Sequence, residues 1–445
     1  MTFAESLSEK ERRRAARNAI YSALCGCISE MAVDTSTVLV IYISMLGGGD
    51  ATKMFITGLT PIATVGLSLV CSVFCDRLGL RKAMTTSCIA AFLAFVLMAA
   101  SAFTDAIALP FFVVSTAIYC LTRPLYVTCW YPLIDHFLRP GDRSRFFSTM
   151  RFCYSSLNAL LMFGIGAIVT HLGGVPPVWF MQAVFLLCAF GSLGRMFFAN
   201  QIPIGTPPDA ETRPSSPQSH AQRYSLREGL GVSLRNGPLM GFCLYFCMIN
   251  IVAFSFVPLM VVYMKSQALD IAPSAILKLT AVSLAGSLCG FLFSTGIIKA
   301  IGTKATILAN HFVCVILPAL LFFCGPGVPH LVAIFGVVQF IAAFSAACIG
   351  VVNSSESLAL ARPGNKTVAL AVCQISNFLG NAAGRFGTSA LLACDVLAPE
   401  WTCAGMSVTR FQSIFGAEAL MMLFFTVFIV ILPAFIPRHE DYYEP

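Results

Sequence analysis

Asp76-Arg77-Leu78-Gly79-Leu80-Arg81-Lys82 is the stretch on which the reading of this chain turns. It lies between two apolar segments, roughly residues 54–74 and 83–103, each long enough to cross a bilayer. The charged run is therefore a short loop between two membrane helices, and its three cations predict a cytoplasmic position. Gly79 lets the chain turn tightly where the helices nearly touch, and Asp76 at a helix end can pair with bases of a neighbouring helix. A weakened copy returns 223 positions later as Lys299-Ala300-Ile301-Gly302-Thr303-Lys304, with Gly79 falling on Gly302 and Arg81 on Lys304. The chain reads as two related halves.

Of the 445 residues 57% are hydrophobic and only 11% charged, against about 25% charged in soluble domains. With a mean hydropathy of +0.81, most of the chain is expected in the lipid bilayer. The first fifteen or so residues are polar and basic, with no short apolar core and cleavage site, so no signal peptide is expected. The 18 cysteines are scattered through apolar segments, where they serve as small packing residues. Cys71/Cys75 and Cys243/Cys247 have helical spacing, but no His or carboxylate completes a site, so neither a metal nor a cofactor is expected. Cys394 and Cys403 share one loop and could pair if it faces an oxidising space. The net charge of +7 asks for no nucleic acid, because the bases sit where topology needs them.

Six apolar segments (16–46, 54–74, 83–103, 106–134, 146–170 and 177–199) precede a Pro/Ser/Arg/Gln-rich stretch that reads as a flexible cytoplasmic linker, 201–236. Six more follow at 239–264, 272–298, 304–324, 330–353, 367–393 and 411–436. With the N-terminus inside, inward tails and loops hold 20 of the 28 Lys and Arg, and outward loops only Lys53, Lys265 and Arg410. The expectation is an all-α membrane protein with twelve transmembrane helices in two pseudo-symmetric six-helix bundles, 1–200 and 237–445. Both termini face the cytoplasm of a cell (inner or plasma) membrane, and a monomer is expected. At the same offset, Arg139-Pro140-Gly141-Asp142-Arg143-Ser144 aligns with Arg362-Pro363-Gly364-Asn365-Lys366-Thr367. Beyond it Asn158 meets Asn381, Phe163 meets Phe386 and Gly164 meets Gly387. Parallel repeats of this kind predict a substrate site between the halves near the midplane.

Motif, count, linker and repeat together resemble the major facilitator superfamily of secondary transporters, over almost the whole chain. That family carries Gly-x-Leu-Ala-Asp-Arg-x-Gly-Arg-Lys between helices two and three. Residues 72–82 occupy it here, with Ser72 in place of the leading glycine. The resemblance implies rocking of residues 1–200 against 237–445, with Asp76, Arg77, Arg81 and Lys82 latching the cytoplasmic side and Gly79 shaping the turn.

Glu30 and Asp34 lie mid-segment and four residues apart, on one helical face. Each charge there costs roughly 2.5–3.5 kcal/mol on insertion scales. A pair kept at that cost suits proton coupling; the plainer alternative is a structural ion pair for one or both. Arg123, in Leu121-Thr122-Arg123-Pro124 of segment four, is the expected partner and resembles the family's helix-four arginine. It would switch between a carboxylate and an anionic substrate group, or else form a static clamp. Pro124 behind it frees a carbonyl, which is tolerated beside a cavity. Gln374, Asn377, Asn381 and Arg385 form one polar stripe on segment eleven, able to bind a polar substrate or to bond across to another helix. Gly380 and Gly384 share that segment as a small-residue face. Asn250 and Gln339 are weaker candidates of the same kind. Arg151, Glu356, Lys278 and Glu418 read as lying near helix ends, and His311 as peripheral.

No Gly-x-x-x-x-Gly-Lys-Ser/Thr loop is present, so ATP hydrolysis is unsupported. Residues 163–168 lack the proline of the helix-five motif of exporters in this family, which weakens a drug/proton antiporter. The expected function is proton-coupled transport of a small polar metabolite, a sugar or organic anion. The alternatives are export of lipophilic compounds by a drug/proton antiporter, a transporter-like sensor acting through the linker or the acidic tail 440–444, and a membrane enzyme. The enzyme would need a catalytic cluster at the membrane surface that the acids and His do not form.

Overall fold

The computed structural model describes residues 6–138, 143–205, 226–362, 365–394, 396–403 and 405–431. The architecture is a succession of long helices. The first, α1 (Glu9–Asp34), is launched by a reciprocal cap in which Ser8 and Glu11 satisfy each other's backbone N–H groups. It breaks at Thr35–Ser36, where Ser36 takes φ 61°, and resumes as α2 (Thr37–Met45) at a 50° bend. Then come α3 (Asp50–Leu78), α4 (Leu80–Ala100), two 3₁₀ turns, α5 (Ala108–Asp135), α6 (Arg143–His171) and α7 (Val178–Asn200). A short α8 (Leu226–Leu234) leads to α9 (Gly237–Ala253), α10 (Phe256–Lys265), α11 (Pro273–Ile301), α12 (Thr303–Phe322), α13 (Leu331–Ala359) and α14 (Lys366–Ala393). A hairpin, β1 (Glu400–Cys403) with β2 (Met406–Thr409), precedes α15 (Arg410–Ile431). Among the described residues nine helices are long and apolar enough to cross a membrane, or ten if α1 and α2 are one bent span.

The internal repeat is carried by the backbone. Helices α3, α4, α5 and α6 begin 223 positions before α11, α12, α13 and α14 respectively. The turns repeat too: Gly79 and Gly302, each the residue before a helix, have φ of 79° and 84°. That left-handed region strains any side chain, which is why glycine recurs there. Gly47 and Asp270 share positive φ in the same register.

Two compact units result, one of residues 1–47 and 63–219, the other of 48–62 and 220–445, so α3 contributes to both. Within the first, α1 and α4 pack along α7. A Cβ added at Gly191 would stand 2.8 Å from the Ser29 backbone N and 2.9 Å from the Cys25 carbonyl O, so the α1–α7 crossing needs glycine. Within the second, α11 packs on α13, α9 on α14 and α12 on α15. Gly286 and Gly290 meet the carbonyls of Phe340 and Phe344, and Gly380 and Gly384 those of Cys247 and Ile251, again too close for a methyl group. Small residues set these membrane contacts because water supplies no hydrophobic drive between helices in lipid.

Two features depart from the sequence reading. The hairpin was not expected in an all-α chain; Cys403 pairs with Met406 and Gly405, at φ 81°, serves the turn. Cys394 and Cys403 beside it are free thiols. Residues 226–234, within the stretch expected to be flexible, form α8. Asn365 Nδ2 holds it by donating to the Gly229 carbonyl and Ser233 Oγ, both at 2.9 Å. Positions 206–225 lie outside the described residues.

Candidate transport site

In the first unit the two acids of α1 have different surroundings. Glu30 is enclosed: Arg195 Nη1 of α7 donates to its Oε1 at 2.8 Å and Tyr154 OH of α6 to its Oε2 at 3.0 Å. The side chains of this pair are only 7% and 8% exposed. Arg195 is fixed on three further sides. Its guanidinium carbon stands 3.8 Å from the centre of the Tyr126 ring, its carbonyl accepts from Ser22, and the guanidinium lies over Gly26, where any Cβ would collide with it. Ser29 and Ser192 bond at 2.6 Å across the same crossing.

Asp34 is the last residue of α1, just before the break. A carboxylate at a helix C-terminus sits at the negative end of the helix dipole and needs a compensating charge. Arg123 of α5 supplies it, Nη2 donating to Asp34 Oδ2 at 2.9 Å. This pair is open, its side chains 17% and 27% exposed. A cavity of about 10 Å³ lined by Arg123, Arg195, Tyr126, Thr122, Ser29 and Ser87 separates it from the enclosed pair. That is far below the roughly 300–1,000 Å³ of a small-molecule pocket. The larger hollow, about 690 Å³, is an apolar groove of α11 and α13 lined by Leu279, Val282, Val337 and Phe340, with no acid in its lining.

The sequence reading did not mark Arg195, whose signal was the small-residue run Ser22, Gly26 and Ser29 facing Gly191, Ser192 and Gly194. Such stripes bring two helices together and so bring Arg195 to Glu30.

The loop motif is partly described. Gly79 takes the expected turn; Lys82 is exposed, and Arg81 Nη2 donates to the Ile202 carbonyl at 2.9 Å, tying the start of α4 to the end of α7. The side chains of Asp76 and Arg77 lie outside the described residues.

In the second unit the α14 stripe is divided among several tasks. Gln374 is exposed, and Asn377 accepts from Asn250 Nδ2 of α9 at 3.3 Å. Asn381 is buried, its Oδ1 without a partner, and Asn158, its counterpart in the repeat, is in the same condition. Arg385 donates to the carbonyls of Phe254 and Thr57, at 3.1 and 2.5 Å. Gln339 is 1% exposed, with neither amide atom hydrogen-bonded. At the start of α3, Asp50 bridges Lys53 at 2.9 Å and Arg410 at 2.8 Å.

Three residues read as marginal are interior. Glu356 is 7% exposed and Glu418 5%. His311 is 1% exposed, with Nε2 against the Met422 carbonyl and Thr426 Oγ1. Position along a helix did not reveal their burial, because it depends on which neighbour covers each turn.

Comparison with known proteins accords with this frame. The model of the Major Facilitator Superfamily matches residues 22–385. No curated protein matches. Among solved structures, a point mutant of the nucleoside transporter NupG superposes with a TM-score of 0.70 at 15% identity, covering 94% of this chain and 100% of that one. A POT family transporter in complex with a thioalcohol-conjugated peptide gives 0.69 at 12%, covering 94% and 96%. A D-xylose-proton symporter gives 0.62 at 13%, covering 97% and 98%. Repeated helices, paired intramembrane charges and a family match over most of the chain have one reading: the chain belongs to the Major Facilitator Superfamily and is a membrane transporter, not an enzyme.

Proposed function

We propose that the chain is a proton-coupled secondary transporter of a small polar metabolite, working by alternating access of two six-helix halves. The observation that carries this is the open Asp34–Arg123 pair at the end of a broken helix. An ion pair inside a membrane span cannot be left against lipid, so its exposed side faces water or substrate. Protonation of Asp34 would release Arg123 to an anionic or hydroxylated group of the substrate, and deprotonation would reclaim it. Glu30 is held by two partners and serves to position α1 against α7. Asn250, Gln339, Gln374, Asn377, Asn381 and Arg385 are the candidates for the other side of the substrate.

Twelve spans with both termini cytoplasmic follow if α3 and α14 are counted. At 29 and 28 residues each could cross a bilayer core of about 30 Å. The sugar-proton and nucleoside transporters among the structural neighbours favour a polar cargo.

The test is a thermal-shift screen of purified protein against sugars, nucleosides, organic anions, short peptides and lipophilic cations. It is run on wild type and Asp34→Asn, then followed by uptake into liposomes under an imposed pH gradient. A polar compound that stabilises wild type, with gradient-driven uptake lost in Asp34→Asn, is the expected result. Stabilisation by lipophilic cations alone would replace it with the antiporter reading.

A further inference from the structure

The second unit contains a buried acid that the mechanism above does not use. Glu418 of α15 is 5% exposed, eight residues and therefore about 12 Å along the helix from Arg410. Its Oε1 lies 2.6 Å from Ser255 Oγ, at the break between α9 and α10, and its Oε2 has no partner. Among the described residues no cation pairs with it. The titratable groups on the helices packed against α15 are Lys304, His311 and Cys314 of α12, Cys243, Tyr245 and Cys247 of α9 and Tyr263 and Lys265 of α10. Lys265 pairs with Asp270 and lies about 15 Å along its helix from Ser255, and Lys304 lies about 15 Å along its helix from Cys314. Arg385, which also reaches this break, gives its guanidinium to the carbonyls of Phe254 and Thr57.

Hydrogen counting indicates the state of the acid. Ser255 Oγ stands 2.6 Å from the Ile251 carbonyl, 3.2 Å from that of Val252 and 2.6 Å from Glu418. A serine hydroxyl has one hydrogen to give and two lone pairs to receive with. It cannot donate at full strength to both near oxygens, whereas a protonated Glu418 can donate to Ser255 while Ser255 donates to Ile251. An ionised carboxylate would instead leave one 2.6 Å oxygen pair without a proton and an uncompensated charge in the membrane, the costliest arrangement available.

We propose that Glu418 is a second proton-binding site, occupied in this conformation and emptied when the α9–α10 break moves Ser255 away. The ligand is a single proton, and the site is distinct from Asp34. The inference does not depend on what is transported or on Asp34 coupling.

Infrared difference spectroscopy of the purified, substrate-free protein tests it. Wild type minus Glu418→Gln should show a protonated-carboxyl C=O band at acid and neutral pH, shifted in D₂O and lost reversibly as the buffer is made alkaline. The band should persist in Asp34→Asn and Glu30→Gln. Glu418→Gln, whose amide can still donate to Ser255, should keep the wild-type melting temperature, and Glu418→Ala should lower it. Absence of the band at every pH would mean that the acid is ionised, and a band that never titrates would mean a permanently neutral packing group. Either result overturns the proposal. Failure of the Asp34 coupling test would leave this band unchanged, so the two readings fail separately.

Discussion

Gly26→Ala is the sharpest test of how α1 is held. The added Cβ would stand 1.8 Å from Arg195 Nη2 and 2.3 Å from both Cζ and Nε, and these are its three nearest atoms. A guanidinium is the mobile end of a side chain, so the clash itself can be relieved by moving it. The cost lies in what it leaves behind, namely Glu30 at 2.8 Å and the Tyr126 ring at 3.8 Å. Breaking a buried ion pair from one side costs about 3–5 kcal/mol. A desolvated cation–π contact adds up to about 2 kcal/mol. Partial relief by a small shift of α7 works the other way, so a loss of about 3–5 kcal/mol is expected. That is a large part of the roughly 5–15 kcal/mol that separates folded from unfolded in ordinary proteins.

The same substitution in a Glu30→Gln/Arg195→Ala background should behave in the opposite sense. No charge is then stranded, the methyl group enters space vacated by the guanidinium, and Ala is favoured over Gly within a helix by about 0.8–1.0 kcal/mol. Reversible unfolding by SDS in mixed micelles, followed by helix content, measures both. A loss below about 1 kcal/mol in the wild-type background, where the buried pair alone should cost about 3–5 kcal/mol, would refute the reasoning. So would an equal loss in the two backgrounds, because the penalty would then belong to the backbone crossing and not to Arg195.

Further outcomes follow from contacts of the same kind. Gly384→Ala puts a Cβ 2.0 Å from the Ile251 carbonyl O, and Gly380→Ala 2.1 Å from that of Cys247. Both should sharply reduce the monodisperse peak in fluorescence-detected size exclusion, while Gly387→Ala, with nothing within 4 Å, should leave it unchanged. Asp50→Asn removes the partner shared by Lys53 and Arg410, leaving Lys53 5% exposed and unpaired. The melting temperature should fall in Asp50→Asn and recover when Lys53→Met is added. Arg123→Lys keeps the charge but loses the planar fork, so flux should drop at least tenfold with intact expression, read in the uptake assay above. Asp76→Asn should slow transport and leave affinity nearly unchanged; lost binding would remove the latch role.

The fold is legible wherever local chemistry forces it. The tight glycine turn at 79 recurs at 302 with the same backbone angles because no other residue takes that φ without strain. Helix starts recur at a constant offset for the same reason: lengths between turns are set by bilayer thickness. The Asp34–Arg123 pairing is legible because a mid-membrane acid needs a cation and segment four offers one beside a proline. The fate of Glu30 is not. Two arginines could have met it, and the choice of Arg195 depends on a glycine-lined crossing between residues 165 positions apart. Glu418 is the plainest miss, since ninth in a 22-residue helix looks marginal until the helix over it is known. The hairpin and α8 are short and lack the apolar length by which a membrane helix announces itself.

The repeat acts differently on backbone and on charge. Duplicated backbone returns the same turns and helix starts, since these answer to the bilayer and to sterics, which act on both halves alike. Charges answer to each other instead, and a charge position is stable only with its partner. The first half keeps both members of each pair, Glu30 with Arg195 and Asp34 with Arg123. In the second half Glu418 has no cation partner among the described residues, and under the proposal above a proton takes that part. Removing the hydroxyl tests that logic directly: Ser255→Ala takes away the acceptor of the Glu418 proton, so the protonated-carboxyl band should move while the protein stays folded. An unmoved band in a folded Ser255→Ala variant would show that Glu418 does not donate to Ser255.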